Sequence, residues 1–160
     1  MATNLSLYTV GTLTGEEARE AVAWRYGGEY AVYNFPDWAE CAARGWSITD
    51  AAKRENAYFS VRYAGSFLGF FHIMDRPGHV ELGVGIKPEL CGQGHGYALM
   101  ESALETIRQT RGHTPVQLAV RTFNVRAVRC YKRAGFTITD KRYEDLGTAP
   151  GEMFIMQTVV

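Results

Sequence analysis

Gly83-Val84-Gly85-Ile86-Lys87-Pro88-Glu89-Leu90-Cys91-Gly92-Gln93-Gly94-His95-Gly96-Tyr97 reads as a buried strand running through a glycine-rich turn directly into a helix. The N-terminus of a helix presents backbone N–H groups without intrahelical partners, together with a partial positive charge. Glycines just ahead of it let an anion approach those groups closely. The segment therefore fixes one strand–turn–helix unit of the fold and points to an anionic, phosphate-bearing ligand.

Around that unit the 160 residues suffice for one domain with its own core, and the 46% hydrophobic and 21% charged composition is that of an ordinary globular protein. A net charge of +0 speaks against a general nucleic-acid or membrane-surface binder. One local basic cluster remains: Arg121, Arg126, Arg129, Lys132 and Arg133. Cys41, Cys91 and Cys130 are odd in number and lack metal-ligand spacing, so no metal site is expected and reduced thiols are. The first residues lack a signal-peptide pattern and no apolar run approaches the ~18 residues of a membrane span. A cytoplasmic protein is expected, without nucleic-acid or membrane partners, as a monomer or homodimer.

Along the chain, Leu5 to Val10 is expected as a first strand and Thr14-Gly15-Glu16-Glu17 as a capping box opening a helix. From Tyr26 to Trp46 the chain is aromatic and irregular, with short helices expected over Asp37 to Ala43 and Ile48 to Arg54. Ala57 to Ala64 and Phe67 to Met74 are strand-like, joined by Gly65-Ser66 as a hairpin turn. Arg76-Pro77-Gly78 then turns the chain into a strand from Val80 to Ile86, and a helix follows from Gly94 to Arg111. Val116 to Val120 is a short strand, Asn124 caps a helix reaching Ala134, and Gly135 stops it. Strands from Phe136 to Tyr143 and Glu152 to Thr158 flank a Gly147-to-Gly151 loop containing Pro150. The expected whole is a mixed α/β domain.

In the strand before the turn, Val80, Leu82, Val84 and Ile86 share one face, and Glu81, Gly83 and Gly85 the other. Two glycines on one face mean that something approaches it closely, either a ligand or a tightly packed element, unless they mark a bulge. The turn is neither a P-loop, since no Gly-Lys-Ser/Thr follows, nor a Rossmann fingerprint, since it reads Gly92-x-Gly94-x-Gly96. Asn124 and Tyr131 lie seven residues apart and so share a helical face.

Together, Cys91-Gly92-Gln93-Gly94-His95-Gly96 and Asn124-Val125-Arg126-Ala127-Val128-Arg129-Cys130-Tyr131, with Gly135-Phe136 after them, resemble the GNAT (Gcn5-related N-acetyltransferase) superfamily. There an Arg/Gln-x-x-Gly-x-Gly/Ala loop precedes an Asn-x-x-Ala-x-x-x-Tyr-x-x-x-Gly-Phe signature, and the order of strands here fits that domain over residues 1–160. The resemblance implies a twisted, mostly antiparallel mixed sheet of about seven strands flanked by about four helices. Its cofactor core would span about residues 57–136, with a variable acceptor side over about 24–54. Acetyl-CoA is the implied acyl donor, acting as co-substrate and without a metal.

The resemblance also implies roles. Backbone N–H groups of Gly92, Gln93, Gly94, His95, Gly96 and Tyr97 would cradle the pyrophosphate. Main-chain groups of Val84 and Ile86 would pair with the pantetheine arm, and Asn124 would hold its far end. Tyr131 would face the thioester sulfur as general acid; its alternative reading is a core tyrosine on the buried helix face. Cys91 departs from the family's Arg or Gln, and weakened cofactor binding is expected from it. Glu81 resembles the strand carboxylate that some members use as a base through water, and is otherwise a surface ion pair. His72 and His79 read as weaker bases, one packed in its strand and one in a turn.

The acceptor would be a small-molecule or protein amine, met by aromatics of residues 24–54 with Glu29, Asp37 or Glu40 attracting its charge. Trp24, Tyr33, Trp38 and Trp46 can equally be core. The alternative function is a non-catalytic acyl-CoA sensor or interaction module on the same fold.

Overall fold

The computed structural model describes residues 4–145 and 149–160. Seven strands form one sheet in the order β1-β2-β3-β4-β5-β7-β6. They are β1 (Tyr8–Thr12), β2 (Tyr58–Tyr63), β3 (Ser66–Arg76), β4 (His79–Ile86), β5 (Pro115–Arg121), β6 (Thr137–Asp145) and β7 (Pro150–Val159). Every neighbouring pair is antiparallel except β4 and β5, which run parallel. The α-helices are α1 (Gly15–Ala23), α2 (Trp38–Ala43), α3 (Ala51–Ala57), α4 (His95–Arg111) and α5 (Val125–Arg133). The mixed, mostly antiparallel architecture agrees with the sequence reading.

Alternation along the strands divides the apolar side chains into two cores, one on each face of the sheet. On one face Phe71, Ile73, Val80 and Leu82 meet Leu99, Met100, Ala103 and Ile107 of α4 and Val128 of α5. On the other, Tyr58 and Phe70 meet Ala18, Ala21 and Val22 of α1, with Trp24, Cys41 and Ile48. Trp24 is core, and Trp38 and Trp46 pack against the same cluster. The α1 capping box forms as expected, with Glu17 accepting from Thr14 N–H at 3.1 Å. The Glu17 carboxylate also takes Ser60 Oγ at 2.7 Å and Arg62 Nη2 at 3.0 Å, docking α1 on β2.

Several boundaries differ from expectation for local reasons. Leu5–Leu7 is a 3₁₀ turn because Asn4 Oδ1 accepts from Ser6 N–H at 3.2 Å, and the strand begins only at Tyr8. The β2–β3 hairpin turns through Ala64-Gly65, with φ of 48° and 86°, and Ser66 already pairs with Tyr63. Two successive positive φ values are those of a type I′ turn, whose twist matches the flanking strands. Ala57 ends α3, and Gly94 is the N-cap of α4 rather than its first residue. Pro150 and Gly151 open β7, Pro150 at the first position where a strand tolerates it. Gly147 and Thr148 of the expected loop lie outside the described residues.

Candidate active site

The site arises from a short piece of pairing. β4 and β5 are joined only at Val80↔Val116 and Glu81↔Gln117. Beyond those residues the strands diverge, and the edge of β4 from Leu82 to Ile86 faces a cleft of about 600 Å³. A strand edge of this kind offers backbone N–H and C=O groups to an extended ligand.

Phe70 accounts for one of the two strand glycines. It pairs with Gly85 across β3 and β4, and a Cβ on Gly85 would stand 2.7 Å from its ring. The close approach there is thus an aromatic ring of the protein itself. Gly83 has only the His72 Cβ nearby, at 3.7 Å, and lines the cleft.

At the end of β4 the chain turns through Pro88–Leu90 into the glycine loop. Gly92 and Gly94 take φ of +75° and +85°, a region that glycine enters without strain. Gly94 caps α4 with no side-chain hydrogen bond, so the first-turn N–H groups keep no side-chain partner. Gly96 serves packing: a Cβ there would lie 2.9 Å from Cys130 Sγ, and this lets α4 and α5 approach closely. The side chains of the loop turn elsewhere. Gln93 Nε2 donates to the Glu89 carbonyl at 2.9 Å. His95 Nδ1 meets the Tyr8 hydroxyl at 2.8 Å, and its ring packs on Tyr63. Cys91 Sγ points to the carbonyls of Ile86 and Lys87 at 3.7 and 3.6 Å. What the loop presents to a ligand is backbone.

Asn124 and Tyr131 come to the same cleft from α5. Asn124 Oδ1 accepts from Ala127 N–H at 3.2 Å, and its Nδ2 donates to the Tyr33 hydroxyl at 3.1 Å. Tyr131 is held above the ordinary phenol range, first by burial and then by neighbouring Cys130, Tyr33 and Tyr26. It stays protonated at neutral pH and so has a proton to donate. Burial likewise raises the Cys130 and Cys91 thiols, which are poor nucleophiles in that state.

Val84, Ile86, Cys91, Gly92, Gly94, Gly96, Tyr97, Asn124 and Tyr131 all line the cleft. Glu81 does not: it sits where β4 and β5 are still paired, its Oε2 accepting from Arg76 Nε at 2.8 Å. His72 stacks on Tyr58 at 3.9 Å, and burial pushes its imidazole down to about 4. His79 starts β4 opposite Arg76. Glu29 is exposed, Asp37 caps α2 by accepting from Glu40 N–H at 2.8 Å, and Glu40 pairs with Arg44. None of these three carboxylates lines the cleft. Its described lining carries charge only as Arg121, Arg126 and Arg133.

Arg126 and Arg133 were visible in the sequence only as part of a basic cluster. Arg126 Nη1 would stand 3.4 Å from a Cβ on Gly92, and Arg133 lies over the Tyr97 ring at 4.0 Å. Their seven-residue separation, the same as that of Asn124 and Tyr131, is the signal that places them on one helical face. Among the described residues no group of three or more His, Cys, Asp or Glu could hold a metal.

Residues 16–136 match the acetyltransferase (GNAT) family. The chain belongs to the GNAT acetyltransferase family. Its members draw their acetyl group from acetyl-CoA, and the cleft has the backbone edge and helix terminus suited to that cofactor. Over an alignment of 105 residues the chain is 35% identical to the mycothiol acetyltransferase of Salinispora tropica, covering 57% of this chain and 34% of that protein. The Salinispora arenicola mycothiol acetyltransferase is 33% identical over the same length and with the same coverage. The aligned part thus spans about a third of the curated relatives.

Among solved structures, a chimera of the Vibrio cholerae spermidine N-acetyltransferase SpeG and hSSAT superposes with a TM-score of 0.71 at 21% identity, covering 95% of both chains. Salmonella typhimurium yncA, solved with its cofactor acetyl-CoA, gives 0.65 at 17% identity over 95% of this chain and 93% of its own. At these identities the likeness is one of GNAT fold. No helix of the described residues is long and apolar enough to cross a membrane.

Proposed function

We propose that this GNAT protein transfers the acetyl group of acetyl-CoA to a primary amine, by direct attack within a ternary complex. One observation carries the reading. The edge of β4 that β5 leaves unpaired, the N-terminus of α4 without a side-chain cap and the protonated Tyr131 phenol meet in a single cleft. The pantetheine arm would run along Val84 and Ile86 as an added strand. Its pyrophosphate would take the N–H groups from Gly92 to Tyr97, with Arg126 and Arg133 supplying the charge that Cys91 does not. Asn124 would hold the far end of the arm.

An amine attacks as the free base, so its proton must leave before the carbon–nitrogen bond forms. Neutral His72 and Glu81 lie on the glycine face of the sheet, close enough for the Glu81 charge to act on the imidazole. A water-relayed path to Glu81 is the proposed exit for that proton. Collapse of the tetrahedral intermediate then breaks the carbon–sulfur bond, and the departing sulfur takes the phenolic proton of Tyr131.

The arginine-only charge of the described lining favours an acceptor without a second ammonium group. Small-molecule and protein amines both meet that condition. Incubation of the protein with acetyl-CoA and an amine panel, following free thiol, tests the reading. Thiol release that depends on one class of amine supports it, whereas acetyl-CoA binding with no release on any amine would favour a sensor.

A further inference from the structure

The segment from Tyr26 to Asn34 is closed on itself: Asn34 Oδ1 accepts from the Tyr26 N–H at 2.7 Å, and Asn34 Nδ2 donates to the Tyr26 carbonyl at 3.2 Å. From this closed loop three tyrosines reach across both arms of the cleft. The Tyr26 hydroxyl donates to the Ile86 carbonyl at 2.6 Å, on the β4 arm. The Tyr33 hydroxyl accepts from Asn124 Nδ2 at 3.1 Å, on the β5–α5 arm. The Tyr30 ring lies under the Arg126 guanidinium, 5.1 Å from its centroid, and against Phe123.

Each of these three contacts falls on a group that the acetyl-CoA reading gives to the cofactor: an edge carbonyl for the arm, an amide for its far end, and a cation beside the phosphate loop. We infer that Tyr26, Tyr30 and Tyr33 form a strap seated on the cofactor's own contacts, which acetyl-CoA displaces when it binds; this rests on the acetyl-CoA reading above. A donor already on the Ile86 carbonyl stands where the first amide of an added strand must come. Binding therefore costs the strap its anchors. The tyrosines are not catalytic residues here: they act on cofactor affinity, by holding the Ile86 carbonyl and Asn124 until the cofactor takes them.

Calorimetric titration of the purified protein with acetyl-CoA, with pantetheine and with ADP tests this directly. Removing the competing hydroxyl in Tyr26→Phe should tighten acetyl-CoA and pantetheine by about three- to tenfold, as expected for one exchanged hydrogen bond. ADP, which does not reach Ile86, should bind as before. Tyr33→Phe should shift acetyl-CoA in the same direction, which keeps the test open if one variant folds poorly. Unchanged or weaker acetyl-CoA binding in these folded variants overturns the strap. A wild-type protein that binds neither acetyl-CoA nor pantetheine overturns the underlying reading as well.

Discussion

Asn124 donates its side-chain amide to the hydroxyl of Tyr33 at 3.1 Å, across 91 residues of sequence, while its carbonyl oxygen caps α5. One amide thus fixes both the start of the helix that carries Tyr131 and the segment facing it. Asn124→Ala removes both functions, and Tyr33→Phe only the second. Loss of an N-cap typically costs about 1–2 kcal/mol. Urea unfolding should show Asn124→Ala destabilised by about that much, and more than Tyr33→Phe. The double-mutant cycle should return a coupling of about 0.5–1.5 kcal/mol. A coupling near zero would mean that the bond contributes nothing in solution.

The strand–turn–helix around Gly92 was legible because its signals are local: an alternating strand, consecutive glycines and an apolar helical stripe. The same holds for the α1 capping box and the Asn124 cap. What escaped depends on partners distant in sequence. Nothing near Gly85 announces that the ring filling its face is Phe70, and nothing near Glu81 announces that its position lies before β4 and β5 diverge, although its ion pair was among the alternatives read for it. Tyr26 and Tyr33 read as acceptor-side aromatics because their bonds to Ile86 and Asn124 span the whole cofactor core. The type I′ turn was displaced by one residue because Gly65 drew the expectation, whereas Ala64 shares the positive φ.

Ala64 gives the simplest stability prediction. An alanine at φ 48° carries a steric cost that glycine avoids, and the site is exposed. Ala64→Gly should raise unfolding stability by about 0.5–1 kcal/mol despite the greater freedom of the unfolded chain. A lower melting temperature in the variant would contradict the turn geometry.

Gly96 makes the opposite case. A methyl there would meet Cys130 Sγ at 2.9 Å, so Gly96→Ala forces α4 from α5 and should cost about 1–3 kcal/mol. Cys130→Ala removes the sulfur and leaves room for the methyl. In that background the Gly96→Ala penalty should fall by more than half, measured by denaturant unfolding. Equal penalties in both backgrounds would place the strain elsewhere in the loop.

His72 predicts a pH dependence. Burial lowers its folded value to about 4 from an ordinary 6.5, so between those limits the unfolded chain binds more protons than the folded one. Stability therefore rises with pH across that window and is lost as pH falls from about 6.5 toward 4. The contribution reaches up to about 3 kcal/mol at its acid end. His72→Gln should flatten this segment of the stability–pH curve; an unchanged slope would assign it to other groups.

Tyr131 and Glu81 separate in their kinetics. A phenol held above its ordinary range keeps its proton through neutral pH, so Tyr131→Phe removes a donor rather than a charge. Turnover should fall by about 10²-fold, in the range of a lost general acid, with acetyl-CoA affinity within about twofold of wild type. Turnover equal to wild type would remove Tyr131 from the chemistry. Glu81→Gln should lower the rate most at low pH, where the acceptor is mainly ammonium and most needs a base. If the bond to Arg76 is instead the whole role of Glu81, its profile will run parallel to wild type, and Arg76→Gln will reproduce the same loss.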